Sequence, residues 1–561
     1  MRKKQKKLPI GIDNFQKIID GDYYYVDKTL MVKELLDKGG EVCLFTRPRR
    51  FGKSLNISML QYYFENLKAG AAHLFDGLRI SKAGTEYASH QNQYPVIKLS
   101  FKGTGKSDFK DAFEKLREII SDEYKRHAYL LDENTLETQW QDEYRCFLHK
   151  EATVNQYASS LKFLSDCLEK HYEKKVVILI DEYDVPLEKA HFNGYYEEMA
   201  EFIRSLFEDA LKTNDSLAFG VITGCLRVSK ESIFTGLNNL NIVSILSDSF
   251  GEYFGFTERE IEKLLADYGL EEKRNEMRDW YNGYLFGETV VYNPWSSVKY
   301  LYDIIYGKID FPNPHWSNTS SNAIIRQLIA HADEEAKDEI ELLIQGGSIT
   351  KPIHEDIVYA DISKNMVNLW NFLYFTGYLK KVSQQQIGIH SYFELTIPNK
   401  EIQYIYERQI REWFAERVQL EDMTVLYEAV LNGGVSDFEE EVIRLLGESI
   451  SYMDSHENFY HGFLVGVLRG IKGYRVFSNR EAGNGRSDIF LMPRDLRKPA
   501  VIIEIKVADK VQKLENSCES ALLQIKEKQY VVELKQEGYS KIINYGIAFY
   551  RKMCQVKMNV S

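Results

Sequence analysis

The chain has 561 residues, of which 44% are hydrophobic and 27% are charged, and its formal net charge is -12 at pH 7. This composition excludes a disordered chain, and the length exceeds the ~100–200 residues of one domain, so several domains are expected. The six cysteines form no C-x-x-C pair, which excludes a zinc ribbon and favours a reducing compartment. No apolar stretch follows the basic start "MRKKQKKLPIGIDNF" and no apolar run approaches ~18 residues, so we expect a cytoplasmic protein that does not contact membranes.

The charge is distributed unevenly along the chain. From Ser451 to the end there are 18 Lys and Arg residues against 12 Asp and Glu residues, so the preceding part is strongly acidic. A basic C-terminal part suits a phosphate backbone, and we therefore expect nucleic acid, with DNA favoured over RNA, as a partner there. Ordinary scatter of surface charge is the alternative interpretation.

Strand-like and helix-like segments alternate in the first part of the chain. Continuous apolar runs predict strands, and spaced apolar residues predict the helices between them. Because such strands carry no polar face, they indicate an α/β fold with a parallel sheet covered by helices on both sides. The predicted strands are "EVCLF" (41–45), "YPVIKLSF" (94–101), "KKVVILIDEYD" (174–184) and "LAFGVITG" (217–224), and the clearest helices are "LNISMLQYYFENL" (55–67) and "DFKDAFEKLREIISDEYKRH" (108–127).

The stretch "TRPRRFGKSL" ends in the tail of a phosphate-binding loop, G-x-x-x-x-G-K-[ST], although Arg47 stands where the first glycine belongs. A phosphate cradle needs backbone N–H groups at a helix start, a lysine for the outer phosphates and a hydroxyl for Mg²⁺. Gly52, Lys53 and Ser54 supply these groups between a predicted strand and a predicted helix.

A second Gly-Lys-Ser at residues 105–107 has the same context and also lacks the first glycine, which is replaced by Ser100. The tripeptide by itself therefore does not select between the two. The longer arch of the first loop and its Arg47, Arg49 and Arg50 favour residues 47–54, because three guanidinium groups are costly to place together unless an anion faces them. A solvated basic turn is the alternative.

Two acidic residues end the strongest predicted strand. We expect Asp181 to hold Mg²⁺ through water and Glu182 to polarise the attacking water of a hydrolysis. Thr223, at the end of the next strand, and the nearby Arg227 are candidates to sense the γ-phosphate. A strand that simply ends at solvent would give the same pattern.

Together, "RPRRFGKSL", "ILIDEYDVPL", "ITGCLRVSKESIFTGLNNL" and "YNGYLF…VYNPWS" resemble the AAA-ATPase-like family of bacterial proteins, across residues 7–300. The resemblance implies that ATP is the nucleotide and that Lys53, Ser54 and Asp181 have the roles given above. It also implies that Arg47 fits the family pattern, in which the first glycine is commonly replaced, although such a loop could bind ATP and hydrolyse it slowly. AAA-type ATPases often form rings, so a homo-oligomer is open, but no residue identifies an arginine donated in trans.

From residue 257 the pattern becomes mostly helical, and a new α/β unit begins near residue 437. We expect a P-loop domain at residues 7–256, a helical lid and connecting region at 257–435, and a C-terminal α/β domain at 436–561.

The C-terminal part contains "NREAGNGRSDIFLMPRDLRKPAVIIEIKVAD", which predicts two strands joined by a turn around residues 493–499. Asp488 opens the first strand, and Glu504 and Lys506 share one face of the second. Charged side chains on an otherwise apolar strand are unfavourable unless they have a functional role. Asp488 and Glu504 are candidate Mg²⁺ ligands, and Lys506 is a candidate to position the attacking water or stabilise the transition state of phosphodiester cleavage. A charged hairpin at the surface is the alternative.

Two flanking helices carry further candidates. Glu457 could complete the acidic cluster from one helix, and Gln524 lies on another that could pack over the same strands. His461, one turn after Glu457, is interpreted as a packing residue rather than a ligand.

Four segments, "ENFYHGFLVGVL", "SNREAGNGRSDIFL", "VIIEIKV" and "ALLQIKEKQY", resemble the PD-(D/E)XK nuclease superfamily, across residues 445–550. The resemblance implies a restriction-endonuclease-like fold, with Asp488, Glu504 and Lys506 as the signature residues and Glu457 and Gln524 at the helix positions. We therefore expect an ATP-binding protein and ATPase, coupled to a Mg²⁺-dependent nuclease domain. One alternative is a nucleotide-switched nucleic-acid-binding or interaction module without cleavage, and another is a nuclease with an inactive nucleotide loop.

Overall fold

The computed structural model describes most of the chain, which divides into two compact units. One unit contains residues Met1–Asn322 and Thr350–Ile405, and the other contains Ala323–Ile349 and Tyr406–Ser561. The described residues are 5–66, 70–132, 135–226, 233–234, 237–316, 325, 333–355, 366–388, 390–420, 422–447, 457–482 and 485–561. Only the backbone is described at 334, 366–367, 411, 413–420, 457–459, 479–482 and 485–487.

A five-stranded parallel sheet organises the first unit, with strand order β2-β3-β4-β1-β5. Its central strands are buried on both faces, as their continuous apolar sequences require. Because the strands are parallel, the carboxyl ends of β1, β3 and β4 meet at one edge of the sheet. The strands are β1 Val42–Thr46, β2 Val96–Ser100, β3 Val176–Asp181, β4 Leu217–Gly224 and β5 Leu240–Val243.

Helices cover this sheet, and the two longest of them begin with side-chain caps. The helix Phe109–Arg126 starts after Asp108, whose side chain accepts from the backbone of Asp111, and it buries an apolar stripe against β2. A capping box at Thr153 starts the helix Val154–Tyr172. The other helices accompanying the sheet are Phe15–Asp20, Leu30–Lys38, Lys53–Phe64, Thr85–Ala88, Thr138–Leu148, Val185–Asn193 and Tyr196–Leu211.

The rest of the first unit is mainly helical but also contains short strands that the sequence analysis did not anticipate. A two-stranded hairpin joins β6 to β7, and β8, β10 and β9 form a small sheet in that order. The strands are β6 Tyr284–Phe286, β7 Thr289–Val291, β8 Ile349–Pro352, β9 Lys380–Ile387 and β10 His390–Thr396, and the helices are Glu258–Tyr268, Arg274–Tyr281, Pro294–Gly307 and Met366–Phe375, followed by Lys400–Leu420 at the end of this region.

The second unit is built on a mixed sheet with strand order β11-β12-β13-β14-β15. Only β13 and β14 are parallel; the other neighbouring strands are antiparallel. The strands are β11 Tyr474–Ala482, β12 Gly485–Pro493, β13 Ala500–Val507, β14 Ile542–Tyr550 and β15 Met553–Val560, and the helices are Glu334–Ile344, Thr424–Asn432, Val435–Gly447, Glu457–Leu468, Leu514–Glu527 and Tyr530–Gln536.

The expected fold class is confirmed: a parallel sheet with flanking helices, a mostly helical middle and a C-terminal mixed α/β unit. The predicted hairpin turn also lies between β12 and β13, although Asp488 falls inside β12 and does not open it. The strands β11 and β15 were not predicted from the sequence. Among the described helices, none has the length and apolar character to cross a bilayer.

Candidate functional sites

The first candidate site is the loop that connects β1 to the helix Lys53–Phe64. Gly52 immediately precedes the helix with a φ of +83°, and Arg50 has a φ of +71°. Both values lie in the left-handed region, which glycine adopts freely and arginine adopts only at a cost. A side chain at Gly52 would meet no other atom within 4 Å, so the glycine is needed for its backbone conformation and not for space.

The second Gly-Lys-Ser has a different local structure. The helix after β2 begins only at Phe109, so Lys106 is not at a helix start. The Lys106 carbonyl accepts hydrogen bonds from Asn193 Nδ2 at 2.7 Å and from the Tyr195 hydroxyl at 2.8 Å. Of the two tripeptides, residues 52–54 alone therefore have the strand-loop-helix geometry that suits a phosphate.

Lys53 is buried at the first position of its helix. Its ammonium donates to the carbonyl oxygens of Arg47 and Pro48, both at 2.9 Å, and lies 3.6 Å from Cys225 Sγ. The loop thus curls around the ammonium with two of its own carbonyl groups. Ser54 follows on the same turn and is half-buried. Lys53 and Ser54 therefore lie together beside the end of β1.

Arg47 lies in the interior, in contrast to the expectation that it faces an anion. Its Nη1 donates to the carbonyl oxygens of Thr46 at 2.9 Å and Val243 at 2.8 Å. Its guanidinium lies 5.0 Å from the ring centroid of Phe254 and 5.1 Å from that of Phe286. Burial lowers the pKa of Arg47 to about 9. Tertiary packing against residues far along the chain, which the local sequence does not reveal, therefore determines its position.

Arg49 and Arg50 have separate partners. Arg49 Nη2 lies 2.5 Å from Glu188 Oε2; burial opposes the charge of Arg49, but this carboxylate outweighs it and raises the Arg49 pKa. The Arg50 guanidinium lies 4.5 Å from the ring centroid of Trp295. Partial burial lowers the Arg50 pKa, and the neighbouring Glu182 charge opposes that shift. The structure therefore does not bring the three guanidinium groups together at one point.

The acidic strand end lies at the same sheet edge as the loop. The Thr223 hydroxyl at the end of β4 donates to Asp181 Oδ1 at 2.5 Å, and both residues are buried. Glu182 follows Asp181 with a φ of +56°. Burial raises the Glu182 pKa, the Asp181 charge adds to the shift, and the Lys53 charge opposes it. Lys53, Asp181, Glu182 and Thr223 are thus close enough to interact, whereas Arg227 lies outside the described residues.

Asp184, which organises the turn after β4, was not predicted from the sequence. Asp184 Oδ2 accepts from the backbone N–H groups of Cys225 at 2.7 Å and Leu226 at 3.3 Å. The Tyr183 hydroxyl donates to the Leu226 carbonyl at 2.5 Å. Asp184 is 2% exposed, and burial raises its pKa, with Lys53 opposing the shift. The last acid of "DEYD" was the available signal, because a buried acid needs donors.

The second candidate site lies on β12 and β13. Asp488 Oδ2 accepts a hydrogen bond from the Ile505 N–H at 2.7 Å, so its carboxylate points at the residue between Glu504 and Lys506. Lys506 Nζ lies 3.5 Å from Glu504 Oε1. Burial raises the Asp488 pKa, while the Ile505 N–H and the charges of His461 and Lys506 oppose the shift. The antiparallel pairing therefore brings the three predicted charged residues together.

A helix brings a fourth predicted residue to this site. Gln524, on Leu514–Glu527, donates through Nε2 to Glu504 Oε1, and Glu504 is only 2% exposed. The helix can approach the sheet because of Gly546 on β14, where a Cβ atom would clash with the Cys518 carbonyl oxygen. Close packing at Gly546 thus explains how a helical amide reaches a buried carboxylate.

Glu457 and His461 lie on the helix Glu457–Leu468. Glu457 is its first residue, but its side chain lies outside the described residues, so its role in the acidic cluster stays a prediction. His461 Nε2 lies 2.9 Å from the Asp488 carbonyl oxygen and 3.1 Å from Ser478 Oγ. The imidazole therefore contacts the backbone of the site and not its carboxylates.

The donor set of this site fits a magnesium ion held partly by water. Among the described side chains, no group of three or more His, Cys, Asp and Glu residues is placed to hold a metal. Asp488 and Glu504 nevertheless offer two oxygen donors from adjacent strands. Mg²⁺ commonly takes one or two carboxylates and keeps several waters, so two carboxylates suffice.

Comparisons with known proteins match the two parts of the chain that contain the candidate sites. Residues 9–234 match the AAA-ATPase-like family, described as "Predicted AAA-ATPase", and residues 455–559 match the family described as "PD-(D/E)XK nuclease superfamily". The chain is also 28% identical over 408 residues to a protein of Azotobacter chroococcum mcd 1 named "Uncharacterized protein in vnfD 5'region", covering 71% of this chain and 68% of that protein. The chain therefore contains an AAA-ATPase-like domain within residues 9–234 and a domain of the PD-(D/E)XK nuclease superfamily within residues 455–559.

Proposed function

We propose that the first unit binds and hydrolyses ATP with Mg²⁺ and that the second unit cleaves phosphodiester bonds of nucleic acid with Mg²⁺. Lys53 binds the outer phosphates, Ser54 and Asp181 hold the ion, and Glu182 polarises the attacking water, while Thr223 senses the γ-phosphate through Asp181. Arg50 supplies a further positive charge. Arg47 and Arg49 act indirectly, because the first supports the loop from the interior and the second is paired with Glu188.

In the second unit, Asp488 and Glu504 would hold Mg²⁺, which lowers the pKa of a bound water and stabilises charge on the phosphate when it is present. Lys506 orients the water or stabilises the transition state, and Gln524 fixes the Glu504 carboxylate. The excess of basic residues after Ser451 favours a polyanionic substrate, with DNA preferred. Convergence of Asp488, Glu504 and Lys506 is the observation that carries the nuclease proposal.

Calorimetry of the full chain with Mg²⁺ and ATP tests the first site. We expect Lys53→Ala to weaken ATP binding by more than ~100-fold, since a charged hydrogen bond to phosphate is lost. Lys106→Ala is the matched control, because it alters the Gly-Lys-Ser that lies outside a helix start. Equal affinity of wild type and Lys53→Ala, or a loss confined to Lys106→Ala, would reject this assignment.

Cleavage of plasmid, linear DNA and RNA, with Mg²⁺ or EDTA, tests the second site. We expect Lys506→Ala to abolish Mg²⁺-dependent cutting without changing ATP affinity, whereas Lys498→Ala, on the exposed turn of the same hairpin, retains cutting. If the wild type binds nucleic acid but never cuts it, the alternative of a binding or interaction module replaces the nuclease. If cutting persists unchanged in Lys53→Ala with and without ATP, the two activities are not coupled.

A further inference from the structure

The segments "YNGYLF" and "VYNPWS" have no role in the proposed chemistry, yet they pack on the phosphate loop. The ring centroid of Phe51 lies 4.8 Å from the ring centroid of Tyr284 and 5.1 Å from that of Phe286. Trp295 lies under Arg50. The loop and these distant segments therefore form one packed unit beside Lys53.

Residues 293–296, which we call the platform, are held rigidly. Asn293 is fully buried and caps the helix Pro294–Gly307 by accepting from the Ser296 N–H at 3.1 Å. Pro294 occupies the first helical position, where its fixed φ suits a helix start. The Ser296 hydroxyl donates to Glu401 Oε1 at 2.9 Å. Trp295 thus lies between the capping residue Asn293 and Ser296, whose hydroxyl is hydrogen-bonded to Glu401.

The Trp295 ring contacts the loop through stacking. Its indole N–H is buried and has no hydrogen-bond acceptor within the described ranges of the chain. The Arg50 guanidinium, 4.5 Å from the ring centroid, is the cation over its face. A long arginine side chain has many rotamers, and an aromatic face reduces that freedom while leaving the charge available.

Arg50 lies in the same loop as Lys53 and is near enough to the acidic strand end for their charges to interact. Its charge interacts with Glu182, and the Glu182 charge in turn interacts with Lys53. A terminal phosphate that contacts Lys53 and is attacked by water near Glu182 would lie within reach of Arg50. A diphosphate would leave that position empty.

We propose that Trp295 is a positioning residue that holds the Arg50 guanidinium at the place of the terminal phosphate, so that this pair sets the preference for nucleoside triphosphate over diphosphate. The inference rests on the proposed nucleotide site. It gives each residue of "NPWS" a role. Asn293 caps the helix and Pro294 starts it, while Trp295 stacks on Arg50 and Ser296 hydrogen-bonds to Glu401.

Calorimetric affinities of the full chain for MgATP and MgADP test the pair. We expect Arg50→Ala to weaken MgATP binding by about tenfold, as for the loss of a charged phosphate contact, and Trp295→Ala to weaken it by up to about fivefold, as for a cation–π contact to an exposed arginine. Both variants should leave MgADP binding within about twofold. The double variant should lose little more than Arg50→Ala alone. Trp295→Phe, which keeps an aromatic face, should retain most of the preference. Trp295→Leu, which fills space without a π face, should not, and it replaces Trp295→Ala if that variant misfolds.

Trp140→Ala is the matched control, because Lys170 lies 4.8 Å from the Trp140 ring centroid in another cation–π pair of the same unit. Its MgATP to MgADP ratio should equal that of the wild type. An unchanged ratio in Trp295→Leu or Arg50→Ala, with normal nucleotide binding, overturns the pair alone. A wild type that binds neither nucleotide overturns the proposed function itself.

Discussion

The platform contacts one buried glutamate, Glu401, and the β12–β13 hairpin contains another, Glu504, but the two acids have different neighbours. Glu401 accepts from the Ser296 hydroxyl and the Trp316 N–H, which are neutral donors, and burial raises its pKa to about 8. Glu504 lies beside the Lys506 ammonium and accepts from Gln524. The first arrangement suits a neutral acid that fixes structure, and the second suits a charged acid that can hold a cation.

The largest expected effect tests the charged member of this comparison. Glu504→Gln should reduce Mg²⁺-dependent cleavage by more than ~100-fold, because even residues that only support metal ligands are worth ~10–100-fold. The thermal stability should change little, since the amide still fits beside Gln524. Glu515→Gln, an exposed carboxylate paired with Lys557, is the control and should cut normally. Normal cleavage by Glu504→Gln would show that this acid is structural, like Glu401.

A smaller effect separates two arginines that are neighbours in sequence. Arg47→Ala should lower the free energy of unfolding by about 3 kcal/mol, because it leaves a cavity and two unpaired carbonyl groups. Arg50→Ala should stay within about 0.5 kcal/mol of wild type, as is usual for side chains outside the core. Denaturant titrations that follow the unfolding of the first unit measure both. Equal stability of the two variants would contradict the interior position of Arg47.

The smallest effect is a pH dependence from Glu401. Its pKa is raised from 4.5 to about 8, so between these values the folded state keeps a proton that the unfolded state releases. Stability from this group is therefore fully present below the lower value, falls as pH rises toward the upper one, and is level above it. Glu401→Gln should remove that slope in melting temperatures measured from low to high pH.

Glu412→Gln is the control for this pH series, because Glu412 lies on the same helix and pairs with Arg408. That variant should keep the wild-type slope. If Glu401→Gln also keeps it, Glu401 is charged in the folded state, and the contrast with Glu504 disappears.

Strands with strong apolar sequences were predictable, and strands that depend on partners were not. The run at β3 and the span of β4 follow from continuous apolar residues, which only a covered sheet accommodates. In contrast, β9 is largely exposed and polar, and its sequence "KKVSQQQI" gives no burial pattern to read. The last strand, β15, follows β14 after the tight turn at Arg551. The turn is so short that the sequence shows no clear break between the two strands.

Local sequence also predicts some positions in the candidate sites and not others. The positions of Asp488, Glu504 and Lys506 follow from alternation along two strands joined by a turn. The position of Arg47 does not, because Phe254 and Phe286 lie about two hundred residues later and their packing is invisible in a local window. The roles of Lys53 and Asp181 came from the Gly-Lys-Ser tail and the acidic strand end, and the family resemblance implies the same roles. The structure adds that the charge of Glu182 interacts with both residues.

The hydrogen bonds of Lys53 affect which anions the loop can bind. Two of the three N–H donors of its ammonium are used by the carbonyl oxygens of Arg47 and Pro48. An anion that takes more than one hydrogen bond from Lys53 must displace these internal contacts, so we expect inorganic phosphate to bind weakly. We therefore expect tight binding only for a ligand that contacts the loop at several points at once.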